Sequence, residues 1–272
     1  MRYHASMPFN GLRVLALESR RAVEIAELIR KNGGEPFVAP SMREVPFGDD
    51  SEIFQFGNRL FNGEFDMMAL LTGVGTRQLH RVLATRFPEA QFADSLRKIT
   101  VVARGPKPVA ALREMGLTPT LVAPEPNTWH ELLQITEGRP ERRIAVQEYG
   151  RSNPELLEGW RARGAEVTSV RVYQYGLPED AEPLREAARR VTAGEFDVVL
   201  FTSAMQMENL ARVAREHGAE GPMLEELRKC LVASIGPTTT EALEEFGVHP
   251  ALEPSHPKMG LLVREAAERA GS

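Results

Sequence analysis

The sequence predicts a duplicated α/β protein: two similar parallel-sheet domains with a cleft between them. Three observations carry that prediction. The chain of 272 residues repeats itself. Arg13-Val14-Leu15-Ala16-Leu17-Glu18 returns as Arg143-Ile144-Ala145-Val146-Gln147-Glu148 before Tyr149, Phe65-Asp66 returns as Phe196-Asp197, and Val101-Val102-Ala103-Arg104-Gly105-Pro106 returns as Val232-Ala233-Ser234-Ile235-Gly236-Pro237. The offset of about 130 residues lies far above the ~20–50 residue periods of solenoids, so the repeat is a whole domain. Within each half, short apolar runs alternate with helical patterns, the signature of parallel sheets covered by helices. Two extended segments, 35–46 and 165–178, occupy equivalent places in the repeat and exceed the usual strand of ~5–6 residues.

The elements follow in order. In the first half, apolar runs at 12–17, 35–40, 66–71, 99–103 and 118–122 read as strands, and helical patterns fill 20–32, 51–61, 75–86, 106–115 and 127–136. In the second half, strands are expected at 143–148, 165–173, 196–201, 230–235 and 249–252. Helices are expected at 153–162, 182–193, 204–217, 237–246 and 258–269. The first helix shows the logic. Ala22, Ile25, Ala26 and Ile29 form one apolar stripe, Ser19 is placed to cap its start, and Asn32-Gly33-Gly34 ends it through a left-handed residue. Gly164 marks the matching stop after Leu156, Leu157 and Trp160. A cut near 138–142 gives two consecutive domains. If the two long segments instead carry the chain out of one domain and back, the middle folds alone and the two ends fold together. Periodicity does not choose between these partitions.

Composition narrows the function classes. Hydrophobic residues make up 42% and charged residues 26%, enough for two modest cores and not the composition of a disordered chain. The net charge of -5 argues against a general nucleic-acid binder. It leaves room for an anionic small molecule held by backbone dipoles. The one cysteine, Cys230, forms no disulfide within the chain and reads as a small core residue. The first ten residues lack the pattern of a secretion signal, and no apolar run approaches the ~18 residues of a membrane span, so a cytoplasmic location without membrane contact is expected.

Candidate chemistry lies at the carboxyl ends of strands, where open parallel sheets bind ligands. Thr72-Gly73-Val74-Gly75-Thr76, Arg104-Gly105-Pro106-Lys107, Thr202-Ser203-Ala204 and Gly236-Pro237-Thr238-Thr239-Thr240 each follow a strand and lead into a helix. Helix starts present free N–H groups that attract carboxylates or phosphates, and glycine allows close approach. Plain N-capping explains any one of these turns. Four turns paired by the repeat point to shared anion binding. None is a phosphate loop. Metal is not expected, because His4, His80, His130, His217, His249 and His256 do not pair at ligand spacing. His130 and His217 read as structural, and Ser203 lacks a nucleophile elbow. In Val170-Arg171-Val172-Tyr173-Gln174-Tyr175, alternation places Arg171, Tyr173 and Tyr175 on one face. A phenol of ordinary pKa near ~10 is neutral at pH 7 and can donate a proton, and the plainer reading of Tyr173 is a residue filling a domain junction.

Together these motifs resemble uroporphyrinogen-III synthases. The resemblance is carried by Phe201-Thr202-Ser203, the run from Ala233-Ser234-Ile235-Gly236-Pro237 to Thr238-Thr239-Thr240-Glu241-Ala242-Leu243, Glu253-Pro254-Ser255 before Gly260-Leu261-Leu262, and Val172-Tyr173-Gln174. In the first half it is carried by Leu71-Thr72-Gly73-Val74-Gly75-Thr76 and Ala103-Arg104-Gly105-Pro106-Lys107. It implies two flavodoxin-like α/β domains joined by a two-stranded β linker. Residues 1–38 and 177–272 would form one domain and 43–171 the other, with linker strands near 37–45 and 170–177. It implies a hydroxymethylbilane substrate, a linear tetrapyrrole with eight carboxylates, which loses its terminal hydroxyl and closes with the last pyrrole inverted through a spiro intermediate. This chemistry needs no cofactor. The protein is expected to be a monomer that at most touches the preceding pathway enzyme. By motif, Tyr173 is the assisting acid. Thr72, Gly73, Val74, Gly75, Arg104, Gly105, Lys107, Thr202, Ser203, Ala204, Gly236, Pro237, Thr238 and Thr239 are substrate contacts. Pro108 stands where relatives carry a hydroxyl residue, which leaves Lys107 or Arg104 to pair with a carboxylate there. A tetrapyrrole- or anion-sensing module of the same fold is the alternative.

Overall fold

The computed structural model describes residues 9–46, 49–148 and 152–271. His4 and Tyr149 lie outside the described residues, as do residues 1–8 of the segment read for a secretion signal. The chain runs β1 (Arg13–Ala16), α1 (Ala22–Lys31), β2 (Glu35–Val38), β3 (Arg43–Pro46), α2 (Ser51–Phe61), β4 (Met67–Leu70), α3 (Gly73–Ala84) and α4 (Ala90–Leu96). It continues through β5 (Thr100–Ala103), α5 (Pro106–Glu114), β6 (Leu121–Val122), α6 (Trp129–Ile135), β7 (Arg143–Glu148), α7 (Pro154–Arg161), β8 (Glu166–Arg171) and β9 (Tyr173–Gly176). The last elements are α8 (Glu182–Thr192), β10 (Val198–Phe201), α9 (Ala204–Arg215), α10 (Glu220–Leu227), β11 (Leu231–Ser234), α11 (Pro237–Glu244) and α12 (Met259–Ala270). Among the described residues no helix is long and apolar enough to cross a membrane.

The chain divides into two compact units, Met1–Arg43 with Tyr175–Ser272, and Glu44–Gln174. Both long extended segments are broken, and each contributes to two sheets. Residues 39–42 separate β2 from β3, and Val172 separates β8 from β9. Strands β3 and β9 pair antiparallel as a two-stranded linker, and the boundaries between the units fall inside them. The break corrects one expectation. Arg171 ends β8 in the five-stranded sheet and is exposed, whereas Tyr173 opens β9 and is buried, so the two do not share a face.

In unit 1 the sheet order is β11-β10-β1-β2, all parallel, with Leu252 bridging Ala233 beyond β11. Counted in chain order this is the flavodoxin-like arrangement 2-1-3-4-5, its fifth strand reduced to a bridge at 249–252. Alternation along β1 sorts the core. Val14 and Ala16 pack with Ile25, Ile29, Leu262 and Val263 of α1 and α12, while Leu15 and Leu17 pack with Leu184, Met207 and Leu210 of α8 and α9. Each large apolar side chain so buried contributes about 1.5–3 kcal/mol. Helix α1 ends as expected, with Gly33 at φ +81 and Gly34 N–H donating to Ile29 O at 3.0 Å. Its start differs. The N-cap is Arg21, and Ser19 Oγ instead accepts the N–H groups of Ser41 and Met42 at 3.0 and 3.1 Å, pinning the exit of β2.

Unit 2 has the parallel order β6-β5-β4-β7-β8. It is the same sheet begun at a different strand: β4 matches β10, β5 matches β11, β7 matches β1 and β8 matches β2. One face buries Met67, Ala69, Ile144 and Val146 against α6 and α7, including Trp160, whose Nε1 donates to Thr136 Oγ1 at 2.9 Å. The duplication extends to ion pairs at the amino ends of the strands. Arg13 clasps Asp197 through its backbone N–H, Nε and Nη2 at 2.8, 3.1 and 3.1 Å. Arg143 clasps Asp66 through the same three groups. The guanidinium in each pair holds its aspartate below the usual carboxylate range. Helices α4 and α10 were not anticipated. Each lies in the connection that precedes a matching strand, β5 or β11.

Candidate functional site

Thr72 leaves β4 in extended conformation and N-caps α3, its Oγ1 accepting the N–H of Gly75 at 3.0 Å. Thr76 Oγ1 donates back to Thr72 O at 2.8 Å, and Thr72 N–H donates to Gln147 Oε1 at 3.2 Å. The Tyr173 hydroxyl lies 3.2 Å from Thr72 Oγ1. Tyr173 is 2% exposed and lines a cavity of about 350 Å³ with Glu44, Val74, Arg77, Gln78 and Arg81. Positions 74, 77, 78 and 81 follow helical spacing, so α3 turns one stripe of its first two turns to this space. Arg77 is held by Glu114 through two bonds of 2.7 and 2.6 Å, which raises its pKa and offsets its charge. Arg81 donates to Gln78 Oε1 at 3.0 Å and, among the described residues, to no carboxylate.

The glycines of this turn serve internal packing. A Cβ at Gly75 would lie 2.0 Å from Gln147 Nε2, and one at Gly73 would lie 2.5 Å from Lys107 O. Their missing side chains admit protein atoms, where the sequence reading assigned the space to a ligand. Gly105 is likewise buried beneath the Asn127 side chain, whose Oδ1 and Cγ would lie 2.7 and 3.0 Å from a Cβ there. Arg104 is half-buried and Lys107 is exposed at the start of α5. Within unit 2 these turns are neighbours, since β5, β4 and β7 are adjacent strands.

In unit 1 the corresponding turns follow β1, β10 and β11, again adjacent. Thr202, Ser203 and Ala204 are half-buried at the start of α9. Gln206, fully buried, organises them: its Oε1 accepts the N–H groups of Thr202 and Ser203 at 2.6 and 3.2 Å, and its Nε2 donates to Leu17 O and Thr202 Oγ1 at 3.0 and 2.8 Å. Thr202 Oγ1 donates to Glu18 Oε2 at 2.6 Å, and Glu18 Oε1 accepts the N–H groups of Arg20 and Arg21. After β11, Gly236 is buried and Pro237 opens α11. Thr238 is exposed, Thr239 is buried, and Thr240 Oγ1 bonds to Ser234 Oγ and Glu253.

Sequence reasoning missed Gln147, Gln206, Glu18, Arg77, Arg81 and Asn127. A signal existed for some of them. Glu18 and Glu148 are equivalent in the repeat, and both accept N–H groups of the segment that follows, Glu148 from Asn153 at 3.1 Å. Cys230 is partly buried with Sγ 3.2 Å from Phe196 O, and burial pushes its thiol up to about 11. Among the described residues no group of three or more His, Cys, Asp or Glu is placed to hold a metal ion.

Comparison with known proteins bears on this arrangement. A family model described as uroporphyrinogen-III synthase HemD matches residues 23–264. The chain is 31% identical to a putative uroporphyrinogen-III synthase of Methanothermobacter thermautotrophicus over 84% of this chain and 87% of that protein. It is 27% identical to the uncharacterized protein YjjA of Bacillus subtilis over 95% and 96% of the two chains. A crystal structure of a mutant uroporphyrinogen III synthase from the extremely thermophilic bacterium Thermus thermophilus superposes with a TM-score of 0.73 at 28% identity, covering 96% of this chain and 98% of that one. The duplicated sheets, the linker strands and these matches together make the chain a member of the uroporphyrinogen-III synthase family.

Proposed function

We propose that this protein is a uroporphyrinogen-III synthase, a lyase that dehydrates and cyclises hydroxymethylbilane with inversion of the last pyrrole. The observation that carries the reading is the Tyr173–Thr72 pair, 3.2 Å apart, on a cavity that Arg81 also lines. Tyr173 assists departure of the terminal hydroxyl by giving it a proton, so that water leaves. The ring-closing carbon–carbon bond then forms, and the pyrrole carbon that accepted it gives up a proton, which restores the phenol. The atoms balance as substrate to macrocycle plus one water. Inversion follows when the first bond is made at the substituted carbon of the last pyrrole and the resulting spiro centre reopens and recloses. The reading calls for no cofactor, because an acid and a held substrate suffice.

Holding a flexible substrate in one ring-closing geometry supplies most of the acceleration in this reading. Thr72 accepts from Gly75 N–H and keeps one lone pair and one proton, so it both orients the phenol and reaches a substrate group. Arg81, Lys107 and Arg104 of unit 2 and the Gly236–Thr239 turn of unit 1 take up carboxylates. We place the enzyme in the cytoplasm as a monomer, meeting the enzyme that makes hydroxymethylbilane only transiently. The test is to supply hydroxymethylbilane and separate the uroporphyrin isomers after oxidation. Isomer III is expected; isomer I alone, the product of uncatalysed closure, overturns the reading. Tyr173→Phe is expected to lower kcat by on the order of 10²-fold while still yielding isomer III. An unchanged kcat removes the acid role and leaves the activity.

A further inference from the structure

The two units close the amino ends of their sheets differently, and matched backbone bonds fix the comparison. Glu35 N–H donates to Leu12 O at 2.8 Å, as Glu166 N–H does to Arg142 O at 2.7 Å. Gly34 N–H donates to Ile29 O at 3.0 Å, as Ala165 N–H does to Trp160 O at 3.2 Å. Leu12 therefore matches Arg142, Val14 matches Ile144, Ile29 matches Trp160, Asn32 matches Arg163 and Gly34 matches Ala165. In unit 1 Phe9 fills the corner between these residues. It is 0% exposed and belongs to one cluster with Val14 and Ile29. The fit is tight: a Cβ at Gly34 would lie 2.9, 3.0 and 3.1 Å from Ile29 Cγ2, Phe9 Cδ2 and Val14 Cγ2. Counted back from the matched strands, Phe9 corresponds to Arg139. Arg139 turns instead to Glu141, donating through Nε at 3.2 and 3.1 Å and through Nη2 at 2.6 Å. The corner of unit 2 is a cavity of about 260 Å³.

Met67, Ile144, Trp160 and Ala165 give this cavity its apolar wall. Arg139, Arg142 and Arg163 also line it, with Glu137 and Glu141, so arginine is in excess there. Glu141 offsets Arg139. Arg142 and Arg163 are exposed and, among the described residues, meet no carboxylate. Arg142 Nη1 donates to Arg139 O and Glu141 O at 2.7 and 3.0 Å, and Arg163 Nη1 caps α6 through Leu133 O at 2.7 Å. A guanidinium carries five N–H donors, so most of theirs remain for a ligand. Their fork geometry suits a carboxylate. An apolar cavity of ~150 Å³ holds benzene, so this one has room for a ring and a carboxylate arm.

We propose that this cavity is a ligand site for a one-ring aromatic carboxylate. The ring lies against Trp160 and Ile144, where Phe9 lies in unit 1, and the carboxylate is taken by Arg142 and Arg163. Met67 and Ile144 stand at the amino ends of β4 and β7, whereas Thr72 follows the carboxyl end of β4, so this site is at the other end of the sheet from the strand-end turns. It stands apart from the activity proposed above.

The probe is benzoate, titrated into the whole protein by calorimetry, with saturable binding expected at a Kd on the order of 1 mM or tighter. Acetate has the charge without the ring, and benzyl alcohol the ring without the charge. Each should bind at least ~10-fold more weakly. Trp129→Phe leaves Trp160 as the single tryptophan, and benzoate should change its fluorescence with the calorimetric constant. Arg142→Leu combined with Arg163→Asn gives unit 2 the matched residues of unit 1 and should weaken benzoate by roughly tenfold or more. The thermal midpoint by circular dichroism checks folding, and if that pair folds poorly, Arg142→Gln alone decides. Four results overturn the site: no saturable benzoate binding up to ~20 mM, acetate as tight as benzoate, an unchanged Trp160 signal at saturation, or unchanged affinity in the arginine variants.

Discussion

Replacing Gly75 by alanine should destabilise unit 2, against the direction that helix propensity gives. Alanine for glycine inside a helix ordinarily gains up to ~1 kcal/mol. Gly75 is the third residue of α3 and its φ is not positive, so no backbone strain opposes the change. The obstacle is Gln147. The new Cβ would lie 2.0, 2.4 and 2.7 Å from its Nε2, Cδ and Oε1, and Gln147 is fully buried. Displacing it breaks two hydrogen bonds, Thr72 N–H to Oε1 at 3.2 Å and Nε2 to Glu148 O at 2.6 Å, worth about 1 kcal/mol each. Overpacking adds about 1–3 kcal/mol. Net of the propensity gain, Gly75→Ala should cost roughly 2–4 kcal/mol, a shift of about 1–2 M in the urea midpoint. The assay is selective, because both tryptophans of the chain, Trp129 and Trp160, lie in unit 2 and report its unfolding by fluorescence. A double-mutant cycle with Gln147→Ala should show coupling of about 1–3 kcal/mol, since removing the glutamine removes the collision. Gly75→Ala at or above the original stability, or a coupling near zero, would refute the packing argument.

Two further outcomes follow from the same geometry. Asp66 and Asp197 have folded pKa values lowered by Arg143 and Arg13, so their stabilisation is present above the unfolded aspartate value of ~3.9 and lost as pH falls through the folded value. Asp66→Asn should therefore flatten the acid-side loss of stability of unit 2 below pH ~4, and an unchanged slope would count against the pair. Cys230, with its thiol near 11, should react with iodoacetamide at pH 8 at least ~100-fold more slowly in the folded protein than in urea, and equal rates would contradict its burial.

Much of the fold was legible because the repeat carries its own check. The matching runs around Arg13 and Arg143, and around Asp66 and Asp197, are the strand starts that the two clasped ion pairs now explain. Glycine stops at Gly33 and Gly164 take the left-handed conformation read from sequence. The overlong segments announced something that one strand could not satisfy. Where each breaks depends on which sheet the backbone joins, a tertiary choice that alternation alone does not encode. Helices α4 and α10 are short and fill connections to which no element was assigned, and the strand expected at 249–252 survives only as the Leu252 bridge.

The site was half legible. The strand-end turns were found from composition, because Gly, Thr and Ser after an apolar run mark a helix start in any open parallel sheet. What the turns do was not, because it depends on residues distant in sequence. Gln147 lies 75 positions from Thr72, and Glu18 lies 184 from Thr202. The glycines were read as space for a ligand, but Gln147, Lys107 O and Asn127 occupy that space. Arg77 and Arg81 were overlooked because a charged stripe on a helix is most often solvated, and only the cavity beside Tyr173 sets them apart.

The most direct measurement is the isomer ratio from hydroxymethylbilane. A lyase that holds the last pyrrole through inversion yields uroporphyrin III in excess after oxidation, and Tyr173→Phe yields it more slowly. Uroporphyrin I alone, at the rate seen without protein, would contradict the account.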